Sequence, residues 1–298
     1  MFFNCSCLFV VGCIGLNFAD QLVKAIEKKD SRVCVGLDPD FEKLPREYSS
    51  ASDRAEAAFS FNKRIIDAVK DDCACVKANL GFYLALGDGG FAALRKTIAC
   101  AKGEGLLTVV DCKANDIGNT AEAYAKSFFG FLNADAITIN PLLGSDSVMP
   151  FLDYCGRDRG VFILVKTSNA SSKDFQDLKI TPRKNLSEEI ASKIVEWEEY
   201  GLGSEEYSSV GAVVGATFPE EAKKLRRAMK KQFFLVPGYG AQGADAKSLK
   251  GFFDDEGLGA IVNSSRGIIY ASNGKDFAQA AGSAAKKMQD EINAVLGL

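Results

Sequence analysis

The feature that most constrains this chain is an alternation. A short apolar run is followed by a longer helical one, and the pair recurs along almost the whole sequence. The apolar runs are Arg32–Leu37, Cys75–Asn79, Leu107–Asp111, Ala136–Asn140, Val161–Lys166, Gly211–Val214, Phe233–Val236 and Ala260–Asn263. They are continuously apolar rather than alternating in polarity, as parallel strands buried on both faces are. Helical stretches separate them: Ser52–Lys70, Phe91–Lys102, Ile117–Leu132, Val148–Tyr154, Leu186–Tyr200, Pro219–Lys230, Ala246–Phe253 and Asp276–Val295. Eight such units in about 270 residues predict an α/β fold of one domain, a closed (β/α)8 TIM barrel, rather than a doubly wound sheet.

The first stretch stands outside that pattern. Residues 1–16 carry no charge and read as an apolar N-terminal extension, leaving residues 17–298 for the barrel domain. The extension lacks the positive start and cleavage site of a signal peptide, and it is too short and too interrupted for a comfortable membrane span. Asn17 reads as the N-cap of a helix over Phe18–Lys28, with Phe18, Leu22 and Ile26 on one face. The loop Thr167–Asn185 is long, polar and rich in serine, which suits a mobile lid.

In a barrel of this kind, catalytic groups stand at the C-terminal ends of strands. The polar residues at those ends are Asp38, Lys77, Asn79, Asp111, Lys113, Asn140, Thr167, Ser168, Gln242 and Arg266. The densest group is in LLTVVDCKANDIGNT, residues 106–120. Residues i and i+2 of a strand face the same way, so Asp111 and Lys113 would point together. Asp116 lies just beyond, near a helix start where the macrodipole favours an acid. Gathering these charges at the mouth of a buried strand costs desolvation, which marks a functional candidate. On a surface loop the same D-x-K-x-x-D would be a solvated charge cluster of little energetic weight.

Composition removes several chemistries. The chain has no histidine, so Ser-His-Asp and Cys-His catalysis and histidine-ligated metals are excluded. Lys, Asp and Glu must carry any proton transfer. A net charge of −3 argues against a nucleic-acid surface. Nine cysteines at irregular spacing, none beyond Cys155, read as reduced thiols in a cytoplasmic protein. Cys112 alternates away from Asp111 and Lys113 and is expected to pack between barrel and helix.

The far end of the barrel suits an anion. Residues 237–243, PGYGAQG, follow the seventh strand, and residues 263–267, NSSRG, follow the eighth. Glycines let backbone N–H groups approach a phosphate, and Arg266 suits bidentate binding. Loops after the last two strands are the frequent phosphate site of such barrels. Gln242 would bridge from the phosphate towards Ser168.

Seven stretches then add up to a resemblance. CVGLDPD (34–40), VKANLGFY (76–83), VVDCKANDIGNT (109–120), LVKTSN (164–169), GAVVGAT (211–217), PGYGAQGAD (237–245) and VNSSRGI (262–268) occur in order. The chain resembles the orotidine 5′-phosphate decarboxylase family, in the branch with a long fifth loop that includes some bacterial and apicomplexan members. The resemblance implies decarboxylation of orotidine 5′-phosphate to UMP, the last step of de novo pyrimidine synthesis, with no cofactor and no metal. It implies that Lys113 is the general acid protonating C6, beside Asp111 and Asp116, and that Lys77 and Asp38 hold the ribose hydroxyls with Asn79 nearby. Thr167 and Ser168 would touch the pyrimidine. Gln242, Arg266 and the Gly238 and Gly267 turns would hold the phosphate. Asp116, Ile117 and Thr120 would enter the neighbouring subunit's site, making a homodimer. The chain departs from the family in having Ala170 where proline commonly follows TSN.

Three other readings compete. Mg²⁺-dependent enediolate enzymes on the same scaffold, hexulose-phosphate synthase and keto-gulonate-phosphate decarboxylase, share a similar D-x-K-x-x-D but place a further acid at the second strand, where this chain has Lys77 and Asn79. A silent nucleotide-phosphate binder would have no need of Lys113 between two acids. A Schiff-base aldolase would use Lys113 or Lys77.

Overall fold

In a computed structural model of the chain, residues 16–240 and 245–298 are described. The N-terminal extension, apart from Leu16, and Gln242 fall outside them. Ten strands occur in chain order: β1 (Val33–Gly36), β2 (Cys75–Asn79), β3 (Leu107–Ala114), β4 (Ala136–Ile139), β5 (Gly160–Lys166), β6 (Lys179–Thr181), β7 (Lys184–Asn185), β8 (Ser208–Val214), β9 (Gln232–Pro237) and β10 (Ala260–Ser264). Eight of them close a barrel in the order β1-β10-β9-β8-β5-β4-β3-β2, and every neighbouring pair is parallel. The TIM barrel expected from the sequence is present. None of the described helices is long and apolar enough to cross a membrane.

Two apolar layers follow from the two-residue period of the strands. Val33, Val35, Val76, Val110, Ile137 and Ile139 face outwards into the layer beneath the surrounding helices. Cys34, Cys75, Val109, Ala136, Phe162, Phe233 and Ile261 face the barrel interior. The helix Phe18–Lys29 closes the bottom of that interior with Phe18, Leu22 and Ile26. Asn17 caps it through its side chain, which accepts from the Asp20 N–H. The edge of Phe18 meets the Phe162 ring at 5.9 Å between centroids. The apolar plug therefore occupies one end, and the inward positions at the other end are free to carry polar groups.

The structure differs from the sequence reading at three places. β3 runs on to Ala114 instead of stopping at Asp111, because it contains a bulge. The single helix expected over Ile117–Leu132 is an α-helix, Gly118–Ala125, that widens to a π-helix, Lys126–Phe131. The loop after β5 is not structureless. It holds a 3₁₀ turn, Ala170–Asp174, and the β6–β7 hairpin. Its base is tied by Lys166, fully buried, whose Nζ lies 2.7 Å from Asp177 Oδ1.

Candidate active site

Alternation along β2 and β3 decides which groups meet. Cys75 faces inwards, so Lys77 and Asn79 do too, and Val109 sets the same direction for Asp111. Lys77 pairs in register with Val109, and Asn79 with Asp111, so the groups become neighbours across the ladder. Asp38 follows β1, one step past Leu37, at the same rim.

Asp111 is the centre of this group. Its Oδ1 accepts from Lys113 Nζ at 2.6 Å and from Thr138 Oγ1 at 2.9 Å. Its Oδ2 accepts from Asn79 Nδ2 at 3.0 Å and from Lys77 Nζ at 3.3 Å. Two donors reach each oxygen, which matches the acceptor capacity of a carboxylate. Lys77 Nζ also lies 3.6 Å from Asp38 Oδ2. Asp38 in turn accepts from the Asn79 N–H at 2.9 Å and from Ser265 Oγ at 2.7 Å.

Burial makes the charges matter. Desolvation alone would push the Asp111 carboxyl up, but Lys77 and Lys113, with hydrogen bonds from Lys113 and Thr138, overcome it and hold the carboxyl well below its usual range. Desolvation would likewise lower Lys77, but Asp38 and Asp111 hold its ammonium above the ordinary lysine value. Both groups are charged at neutral pH.

Two adjoining clefts open over this group and share Lys77, Asp111 and Pro237. One, of about 390 Å³, includes Lys113, Thr138, Thr167, Ser168 and Gln176. The other, of about 320 Å³, includes Asp38, Asn79, Gly238, Ser265 and Arg266. Together they run from the D-x-K cluster to the turns after β9 and β10. Gly238 and Gly240 have φ of 101° and 69°, which only glycine adopts readily. Tyr239 between them donates to Glu291 Oε2 at 2.6 Å, pinning the turn to the last helix. Gly267 sits beside Arg266 at the start of the short helix Arg266–Ile269.

Some expected residues stay apart from this group. Asp116 accepts from the Ile117 N–H at 2.9 Å and makes no ion pair among the described residues. Ile117 is 55% exposed, and Thr120 is also exposed. Asn140 turns to its own loop, accepting from the Leu142 N–H at 3.1 Å. Gln242 lies outside the described residues. Cys112 packs against the outer apolar layer, as its alternation predicts, with its thiol on the Thr138 carbonyl at 3.3 Å.

Thr138, Ser265, Tyr270 and Gln176 were not singled out from the sequence. Thr138 was legible, because it lies two steps beyond inward-facing Ala136. Tyr270 donates to the Asp38 carbonyl at 3.1 Å and accepts from the Asp40 N–H at 2.6 Å, bracing the β1 rim. Gln176 reaches the cleft from nine residues away by bonding Thr167, and no local pattern announces that.

Comparison with known proteins agrees with this geometry. Residues 31–281 match the model of the Orotidine 5′-phosphate decarboxylase / HUMPS family. The chain is 40% identical to the orotidine 5′-phosphate decarboxylase of Caldicellulosiruptor saccharolyticus, covering 94% of this chain and 99% of that one. It is 41% identical to the Clostridium acetobutylicum enzyme, covering 93% and 99%. Among solved structures, a Leishmania donovani OMP decarboxylase superposes with a TM-score of 0.80 at 35% identity, covering 95% of this chain and 100% of that one. Leishmania donovani UMP synthase superposes with a TM-score of 0.81 at 37% identity over 95% of this chain, and this chain spans 57% of that longer one. With the barrel, the charged rim and these relatives in agreement, the chain belongs to the orotidine 5′-phosphate decarboxylase family.

Proposed function

We propose that this chain decarboxylates orotidine 5′-phosphate to UMP, with Lys113 as the general acid at C6. The observation that carries this is the pairing of a buried Asp111, held by four donors, with an ammonium 2.6 Å away that fronts an open cleft. In the reaction the bond from C6 to the carboxylate breaks and CO₂ leaves. The electron pair stays on C6, in an orbital the ring's π system cannot delocalise. A fixed cation beside C6 stabilises it, and a proton from Lys113 Nζ completes the product.

Asp111 near the substrate carboxylate is repulsive, by about 4 kcal/mol at ~4 Å and an effective dielectric of ~20. With all its acceptor sites taken, its main task is to hold Lys113 and Lys77. Lys77 and Asp38, with Asn79, suit the ribose hydroxyls. Thr167 and Ser168 suit the pyrimidine edge. Arg266, the Gly238 and Gly267 turns and Gln242 suit the phosphate, whose binding would hold the substrate in the reactive geometry.

The same group argues against the Mg²⁺-dependent reading. A divalent cation between Asp38 and Asp111 would have to displace Lys77, whose ammonium already stands between the two, 3.6 and 3.3 Å from them. The active form proposed here is a homodimer with shared sites. Ile117, next to Asp116 in the chain, and Leu142 and Leu143, in the loop after β4, are 55%, 71% and 50% exposed, and a second subunit would cover them. A cytoplasmic location is proposed from the free thiols among the described residues.

The test follows the loss of orotidine 5′-phosphate absorbance by purified protein in EDTA, beside Lys113→Ala. Turnover that persists in EDTA and collapses in the variant is expected. No turnover by folded wild-type protein would overturn the decarboxylase reading in favour of the silent binder. The enediolate enzymes also leave orotidine 5′-phosphate untouched, and Mg²⁺-dependent turnover of a keto-sugar phosphate would favour them over the silent binder.

A further inference from the structure

The β3–β4 ladder slips where the chemistry sits. Val110 faces Ile137 and Ala114 faces Ile139, so Asp111, Cys112 and Lys113 run beside Thr138 alone. The surplus is absorbed at Lys113, whose φ is 47°. A residue with a side chain is disfavoured there unless its surroundings hold it.

Thr138 supplies the hold. The Lys113 N–H, which has lost its place in the ladder, donates to Thr138 Oγ1 at 2.9 Å. The hydroxyl's own proton then goes to Asp111 Oδ1, also at 2.9 Å. That oxygen is the one that receives Lys113 Nζ. A ring therefore closes from the Lys113 backbone through Thr138 and Asp111 to the Lys113 ammonium. Thr138 is 1% exposed, and its one hydroxyl proton and one acceptor lone pair are spent on this ring. A valine of the same shape would orphan a backbone donor and remove one of the four donors on Asp111.

We propose that Thr138 is a positioning residue for the decarboxylation. It fixes the left-handed turn at Lys113 and hence the direction in which the ammonium enters the cleft. This rests on the reading of Lys113 as the proton donor.

The test compares wild type, Thr138→Val, Thr138→Ala and Thr138→Ser for kcat with orotidine 5′-phosphate and for UMP affinity. UMP reports the ribose and phosphate ends, at Asp38 and Arg266. Thr138→Val should lower kcat by about 100-fold, the scale of a misplacement near 1 Å, with UMP affinity retained. Thr138→Ser keeps the hydroxyl and should recover most of kcat. Where valine disturbs folding, Thr138→Ala should show the same split. Unchanged kcat in both hydroxyl-free variants would overturn the proposal. So would an equal loss of kcat and UMP affinity, or a serine variant no better than valine. An inactive wild type would overturn the decarboxylase reading and this inference with it, a result distinct from an active enzyme indifferent to Thr138.

Discussion

Asp111 and Lys113 share a 2.6 Å hydrogen bond, yet their side chains are 12% and 46% exposed. The carboxylate is the buried anchor and the ammonium is the part that faces the cleft. Asp111→Asn keeps the shape and removes the charge that tethers Lys113. We expect kcat to fall by about 10²–10³-fold, the scale of losing one preorganised electrostatic contact. Steady-state kinetics on the folded variant would decide it, and an unchanged kcat would show that Lys113 is positioned without the acid.

Asp111 and its other lysine neighbour, Lys77, set a pH signature. Asp111 titrates lower in the fold than in the unfolded chain, because Lys77 and Lys113 outweigh its burial. Its stabilisation is complete above the ordinary carboxyl value of about 4 and is lost as pH falls towards the folded value. Lys77 titrates higher in the fold. Its contribution is complete below about pH 10 and is lost as pH rises through the folded value. Urea midpoints of wild type and Asp111→Asn should therefore converge below about pH 4. A gap that stays constant to pH 2 would contradict the assignment.

Gly36 leaves room for Ser265 against Asp38. A Cβ there would stand 1.8 Å from Ser265 Oγ and 2.7 Å from Ser265 Cβ. Gly36→Ala should push Ser265 off Asp38, destabilise the fold by about 1–3 kcal/mol and weaken UMP binding. Calorimetric titration with UMP reads the second effect directly.

Lys166 is wholly buried, with Asp177 at 2.7 Å and the Phe218 ring 4.3 Å away. Asp177→Ala leaves that ammonium without its counter-charge. A loss of about 3 kcal/mol is expected, together with a raised KM, because Thr167 and Ser168 follow Lys166 directly. A denaturant midpoint identical to wild type would show that the clasp is not a stabilising contact.

The proposed homodimer with shared sites predicts complementation. Lys113→Ala and Asp116→Ala proteins should each be nearly inactive. After mixing and subunit exchange, half the dimers are mixed and each holds one intact site, so roughly a quarter of wild-type activity should return. Sedimentation should show a dimer, and Leu142→Asp should weaken it. No recovery despite demonstrated exchange would place Asp116 outside the partner's site.

The barrel and much of its rim were legible in the sequence by itself. Eight apolar runs separated by helical stretches leave few ways to bury every strand on both faces, and a closed parallel barrel is one that does. Period-two alternation then sends Lys77, Asn79 and Asp111 inwards, because a strand offers only two directions. Local chemistry also fixed the Asn17 cap and the glycines at 238 and 240, where side-chain reach and positive φ are short-range demands. Tertiary structure alone decided the rest. The β3 bulge exists because of how β4 lies beside it, so Thr138 and the left-handed Lys113 are properties of two strands. Ser265 meets Asp38 because the last strand closes on the first, 227 residues apart in sequence. Gln176 reaches Thr167 because Lys166 and Asp177 fold the long loop back on itself. Such contacts join residues that share no local pattern, and only the packed chain brings them within hydrogen-bonding distance.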